Sequence, residues 1–290
     1  MLATAATPGF WDWSLDPPLV LAADLAVLYR IGSRRTVTPR RTAAAQRWRD
    51  AAFYSSMVAL AVALASPIEP LSEQFFWVHM VQHVLLMLVA APLLVVSRPW
   101  VRLWRALPLS GRRGLARALV KDPRAAPLRA VSRWVGSPAA SLTLFSVALL
   151  GWHVPAAFDA TLASGTVHAL EHSAFFLTSV LLFKQVIPSP PLRMRLSEVR
   201  RLLYVVAAMT VSWVLAVVLA LAPEPLYHHY ALLDPRPWGI SALADQQLAA
   251  GVMWVPGSVT FVIIIFVYIH RWLAPRSSAA NATARLAGGH

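Results

Sequence analysis

Four histidines of this chain are arranged as two pairs with the same spacing. His79 and His83 lie four residues apart in HMVQH, and His168 and His172 do so in HALEH. In an α-helix, residues i and i+4 lie on one face, so each pair can direct both imidazoles to one point. Imidazole binds copper, zinc, iron and nickel, and ionisable groups in apolar segments are costly and usually functional. The pairs therefore predict a metal or haem site, with an interhelical hydrogen-bond network as the alternative.

Other side chains near these segments could complete such a site. His153 ends a third apolar segment and is a further candidate ligand. The carboxylates of Glu171 and Asp245 could bind a metal directly or orient a ligating imidazole. Met80 and Met253 carry thioethers, which select copper(I), although a buried methionine more often only fills space in a core.

The composition is that of a membrane protein. The 290 residues are 58% hydrophobic and 13% charged, with a mean hydropathy of +0.57. A net charge of +13 would suit nucleic acid, but the basic residues form blocks between apolar runs. That arrangement predicts contact with membrane lipid and none with nucleic acid. The absence of cysteine excludes disulfides and thiolate metal sites.

Seven apolar segments are candidates to cross a bilayer, which predicts an all-α, polytopic integral membrane protein built as a seven-helix bundle. They form a single predicted transmembrane domain over residues 1–275, followed by a flexible cytoplasmic tail at 276–290. The predicted spans are 17–33, 50–66, 76–97, 137–153, 167–187, 202–222 and 245–272.

The basic residues predict the orientation of these spans. All of the 26 Lys and Arg residues except Arg236 lie in alternate loops, in the ends of the spans that adjoin these loops, or in the carboxyl-terminal tail. Because such loops stay in the cytoplasm, the amino terminus is predicted outside and the carboxyl terminus inside. This topology places the candidate polar residues at the outer ends of four helices. It thereby predicts one shared site from His79, His83, His153, His168, His172, Glu171 and Asp245.

Three blocks of sequence resemble a known family. They are HMVQHVLLMLVAAPLL (79–94), WHVPAAFDATLASGTVHALEHSAFF (152–176) and DQQLAAGVMWVPGS (245–258). They are similar to the CtaG-type cytochrome c oxidase assembly factors, seven-span bacterial proteins associated with caa-type oxidases. The resemblance covers roughly residues 15–275. It implies a plasma-membrane protein that handles copper for a haem–copper oxidase, with oxidase subunits or copper chaperones as partners and no enzymatic reaction.

The leading hypothesis is copper binding by His79, His83, His168 and His172, with His153 as a fifth ligand; zinc and haem are the alternative cofactors. A haem-binding redox protein is less consistent with the spacing, because one helical turn separates the histidines of a pair by only about 6 Å. A metal permease should present polar residues at several depths, whereas VLLMLVAAPLLVV follows His83. A scaffold whose histidines only join helices is the remaining hypothesis.

Overall fold

A computed structural model describes residues 17–233 and 237–273, and the predicted tail at 276–290 lies outside these ranges. The fold is all-α, with no strand in the described ranges. Seven long helices coincide with the predicted segments. They are α1 (Pro17–Arg34), α2 (Ala43–Ala65), α3 (Phe76–Ser97), α4 (Pro138–Trp152), α5 (Gly165–Phe183), α6 (Glu198–Leu221) and α7 (Ala242–Leu273).

Not all of these helices are apolar and long enough to be candidate membrane spans. Four of them meet both conditions: α3, α5, α6 and α7. Helix α4 becomes a fifth candidate span when it is joined to the preceding helical segment, from which it is bent by 76°. Helix α1 carries Asp24 and Arg30, and α2 begins with a polar stretch that includes Asp50. The described residues thus contain four or five candidate spans. The seven-span topology and the orientation of the termini are not confirmed and stay predictions.

Helix α3 lies at the centre of the structure. Within the protein, 61% of its apolar stretch is buried, against 33% or less for the other candidate spans. One core cluster joins α3 to α4, α5, α6 and α7, and a second joins it to α1 and α2. Both faces of α3 therefore lie in the interior of the protein, and so do His79 and His83.

The middle of α3 is not a regular α-helix. It is α-helical over Phe76–Val84, π-helical over Leu85–Ala90 and α-helical again over Ala91–Ser97. Pro92 has no N–H, which deprives the Leu88 carbonyl of its usual partner, and the Thr260 hydroxyl of α7 donates to that carbonyl. Ser56 of α2 donates to the Ala90 carbonyl at 2.8 Å. These bonds fix α3 between its neighbours, and π-helical turns are common at functional sites.

Between α3 and α4 lie three shorter α-helices, Trp100–Ala106, Leu109–Ala116 and Ala126–Val135. The first packs closely on α1, where a Cβ on Gly32 would lie 1.8 Å from the carbonyl oxygen of Arg102. The Arg102 guanidinium forms an ion pair with Asp50 and donates to the Tyr29 hydroxyl at 3.0 Å. Glycine is required at residue 32 because any side chain would separate the two helices.

Candidate metal centre

The structure brings the five predicted histidines together in one buried cluster. The ring centroids of His79 and His83 are 4.5 Å apart, and that of His168 lies 5.0 Å from His79. His172 and His153 each lie 5.6 Å from His83 by the same measure. None of the five is more than 8% exposed. Helices α3 and α5 supply the two pairs, and His153 stands directly after the last residue of α4.

Glu171 lies within the cluster and is completely buried. One of its oxygens is 3.6 Å from Nε2 of His79 and the other is 3.6 Å from Nε2 of His83. Candidate ligand atoms of His79, Glu171, His168 and His172 all lie within 4.8 Å of one another. Two ligands of one tetrahedral metal, each bound at about 2.0–2.1 Å, are about 3.4 Å apart. These separations are compatible with Glu171 as a ligand, and its role, ligand or partner of a ligating imidazole, stays a prediction.

Many polar atoms of this cluster have no hydrogen-bond partner among the described residues. Buried polar atoms are almost always paired, and each unpaired one costs about 1–3 kcal/mol. A group of such atoms gathered in one place fits a bound metal ion, whose coordination would replace the missing hydrogen bonds. The atoms are Nε2 of His79, His168 and His172, both ring nitrogens of His83, and both carboxylate oxygens of Glu171.

Hydrogen bonds at the edge of the cluster orient the imidazoles. Tyr230 donates its hydroxyl proton to the Ser72 carbonyl, so its oxygen accepts from Nδ1 of His79, 3.2 Å away. Nδ1 of His168 faces a carboxylate oxygen of Glu69 at 3.4 Å. When Nδ1 carries the proton, Nε2 of a neutral imidazole presents its lone pair. Both rings therefore direct a free lone pair into the cluster, as ligating histidines held by outer partners do.

His153 meets a methionine rather than the carboxylate. Its Nδ1 is 2.7 Å from the Leu149 carbonyl, and its Nε2 is 3.4 Å from Sδ of Met80. Met253, the other methionine considered in the sequence, lines a small cavity together with His83 and Met87. Of the two methionines, Met80 is the one whose sulfur lies within 3.4 Å of a ring nitrogen of a candidate ligand.

Asp245 fixes the start of α3. Its two carboxylate oxygens accept the backbone N–H groups of Phe76 and Trp77, each at 2.9 Å. The first N–H groups of a helix have no partner within the helix, so a carboxylate there stabilises it. The side chain comes from the first turn of α7, 169 residues along the chain from Phe76. Asp245 is therefore a positioning residue for the helix that carries His79.

Two short helices cover the cluster. Phe158 of Pro155–Ala163 is fully buried, with its ring centroid 4.8 Å from that of His79 and 4.3 Å from that of Tyr227. Burial, with a smaller contribution from nearby carboxylates, raises the pKa of Tyr227, so its hydroxyl stays protonated and donates to the His153 carbonyl at 3.1 Å. Asp159 accepts the backbone N–H groups of His228 and His229, which joins the second short helix, His228–Leu232, to the first.

Several residues of the site were not predicted from the sequence. Glu69, on the short helix Ile68–Ser72, accepts from the Gln82 amide and faces His168, and its side chain is 29% exposed. Gln82 also donates to the Ala63 carbonyl at 2.8 Å. The polar Gln82 inside HMVQH was a sequence signal, whereas Glu69 and Tyr230 lie on short helices outside the apolar segments, and their positions depend on the whole fold. Glu69 is the side chain that connects the cluster to the surface.

No curated protein and no solved structure matches this chain significantly. A family model described as cytochrome c oxidase caa3 assembly factor (Caa3_CtaG) matches residues 27–274, which include all seven long helices except the first ten residues of α1. The matched part contains every residue of the cluster and of its cover. The chain therefore belongs to the cytochrome c oxidase caa3 assembly factor family.

Proposed function

We propose that this assembly factor is a non-catalytic, seven-span protein of the bacterial plasma membrane that binds copper for delivery to cytochrome c oxidase. The distribution of basic residues supports an outer amino terminus, a cytoplasmic carboxyl terminus and a metal site near the outer face. Copper is cargo in this proposal, so the site must both hold it and release it to an oxidase subunit or a copper chaperone.

The observation that carries the proposal is the convergence of unpaired ligand atoms. His79, His168, His172 and Glu171 offer candidate ligand atoms within 4.8 Å of one another, and His83 stands 3.6 Å from Glu171. A nitrogen-rich set with one carboxylate suits copper or zinc, and the oxidase assembly role of the family favours copper. One buried carboxylate also offsets part of the charge of the ion, which reduces the cost of holding it in an apolar interior.

Glu69 gives this site a route to the exterior. It is partly exposed, whereas the cluster behind it is buried, and it faces His168, the most exposed of the five histidines. A carboxylate at such a position would attract a cation and pass it to the imidazole behind it. Phe158 and the two short helices close the remaining side.

The test is the metal content of the purified full-length protein, with His172→Ala and Glu171→Gln as site variants. His270→Ala is the matched control, because His270 is exposed at the far end of α7. We expect wild type and His270→Ala to retain copper and both site variants to lose it. In cells that carry only a site variant, the oxidase should contain less copper than in cells with the control.

Absence of metal from wild-type protein, together with normal oxidase copper in cells with either site variant, would contradict the proposal. Thermal unfolding separates it from the scaffold hypothesis. A ligand that binds only the folded state raises the midpoint of unfolding, so a chelator should lower the midpoint of wild type and leave that of Glu171→Gln unchanged. If the histidines only joined helices, neither chelator nor copper would shift the wild-type midpoint.

A further inference from the structure

Met80 and His153 form a separate pair of ligand atoms beside the cluster. Sδ of Met80 is 3.4 Å from Nε2 of His153, and the residues are 0% and 5% exposed. A nitrogen bound at about 2.0 Å and a sulfur bound at about 2.3 Å to one tetrahedral metal lie about 3.5 Å apart. The observed separation is therefore that of two ligands of a single ion.

In the neutral form of the His153 imidazole, no proton lies between these two atoms. Nδ1 of His153 lies 2.7 Å from the Leu149 carbonyl, an acceptor, so Nδ1 carries the proton and Nε2 presents a lone pair. The thioether of Met80 has no proton to donate to it. Two electron-pair donors thus face each other in a buried place, and a soft cation between them would accept both lone pairs.

His83 borders both groups of ligands. Its Nε2 is 3.6 Å from Glu171, its ring centroid is 5.6 Å from that of His153, and neither of its ring nitrogens has a hydrogen-bond partner in the described part of the chain. On another side it lines a small cavity with Met87 and Met253. A cation could therefore be shared between the two groups through this one imidazole.

We propose that Met80 and His153 form a second metal subsite, with His83 as the ligand shared with the cluster, and that this subsite takes copper(I). Thioether ligands select copper(I), whereas imidazole and carboxylate ligands also accept divalent ions. The proposal rests on the copper-handling function proposed above and assigns two steps of it to two neighbouring sites. The cluster with Glu171 receives copper(I), and the subsite with Met80 holds the same ion without a change in its oxidation state.

The experiment uses purified full-length protein and two variants of nearly unchanged volume. Met80→Leu removes the sulfur, and Met57→Leu is the control, because Met57 is also buried but lies on α2, in the other core cluster. Silver(I), a soft ion without redox chemistry under these conditions, is titrated in place of copper(I). We expect Met80→Leu to bind one equivalent fewer than wild type and Met57→Leu, and to bind zinc(II) as wild type does.

X-ray absorption of copper(I)-loaded protein gives a direct second measurement. A sulfur neighbour at about 2.3 Å should be present in wild type and Met57→Leu and absent from Met80→Leu. Selenomethionine-labelled wild type needs no substitution and should show selenium bound to copper. Equal silver(I) binding by Met80→Leu and the control, or a copper(I) ion without a selenium neighbour, would overturn the subsite.

Glu171→Gln separates the two proposals. Loss of zinc(II) binding with the selenium–copper contact retained supports both sites. If wild type binds no metal at the cluster but keeps a Met80-dependent silver(I) ion, the proposed receiving site is wrong and the subsite stands. If metal binds at the cluster and Met80→Leu changes nothing, the proposed receiving site stands and the subsite is wrong. Protein that binds neither ion overturns both.

Discussion

At the scale of single residues, Tyr230 determines which nitrogen of His79 faces the cluster. Its hydroxyl donates to the Ser72 carbonyl and accepts from Nδ1 of His79. The outer partners of metal-binding histidines typically contribute 10- to 100-fold to affinity. Tyr230→Phe should therefore weaken metal binding by roughly tenfold or more, measured by competition with a chelator of known affinity.

Tyr227→Phe is the control for this change. Tyr227 is buried to the same degree as Tyr230, but its hydroxyl donates to a backbone carbonyl, that of His153. Tyr227→Phe should lower the free energy of unfolding slightly, without a comparable loss of metal affinity. Equal affinities of the two variants would mean that the Tyr230 hydroxyl does not orient His79.

Asp245 caps the amino-terminal end of α3, the helix that carries His79. With one carboxylate oxygen replaced by an amide in Asp245→Asn, one of the N–H groups of Phe76 and Trp77 loses its acceptor. A buried donor left unpaired costs about 1–3 kcal/mol, and we expect that loss in the free energy of unfolding of the detergent-solubilised protein. Asp24→Asn makes the same change at an exposed position of α1 and should have little effect. Similar losses in both would argue against the capping role.

At the scale of the elements, the long helices could be predicted from the sequence and much of their surroundings could not. Hydropathy located α1–α7 within several residues, because a run of apolar side chains is a local property. The helix Pro155–Ala163 and the π-helical part of α3 were missed, since both are short and are stabilised by distant groups such as Thr260.

The candidate site, too, could be predicted only in part from the sequence. Helical spacing predicted that the histidines of each pair share a face, and the five histidines do lie together. Helix capping by Asp245 was not predicted, because the backbone groups that its carboxylate accepts are set by how α7 meets α3. The roles that were considered for it, to bind a metal or to orient an imidazole, stay predictions. Glu69 and Tyr230 carry no periodic signal, so only the folded arrangement reveals their contacts with the imidazoles.

The close contact of α1 with the helix Trp100–Ala106 depends on Gly32. A methyl group there would collide with the backbone oxygen of Arg102, which cannot move aside as a flexible side chain would. Overpacking of this kind typically costs about 1–3 kcal/mol, so Gly32→Ala should lower the midpoint of thermal unfolding. Gly151→Ala, in a helix with open space around it, should be neutral or stabilising. A neutral Gly32→Ala would show that the two helices can separate without cost.

At the scale of the whole molecule, the prediction to be tested is that α2 and α4 cross the membrane. The chain has no cysteine, so single cysteines can be introduced without a background signal. Val37→Cys and Glu73→Cys flank α2, and Ser110→Cys and Ala160→Cys flank α4, all at accessible positions. In intact spheroplasts, a membrane-impermeant maleimide should label residues 73 and 160, and should reach 37 and 110 only after permeabilisation.

Labelling of residues 37 and 73 from the same side would show that α2 does not cross and would reduce the number of spans. If that side were the cytoplasmic one, Glu69 would be reached from the cytoplasm as well, because Glu69 lies only a few residues from position 73. The side from which copper enters therefore depends on whether α2 crosses the membrane.

The π-helical segment of α3 sets the direction in which the first histidine pair points. An α-helix turns by about 100° per residue, and a π-helical turn accommodates an additional residue. If Leu85–Ala90 became regular α-helix with no residue removed, His79 and His83 would therefore rotate by about 100° relative to Pro92. Both imidazoles would then turn away from α5 while every ligand remained in the sequence. An intact set of histidines is thus not enough to form the site, and the π-helical turn between HMVQH and Pro92 is required with it.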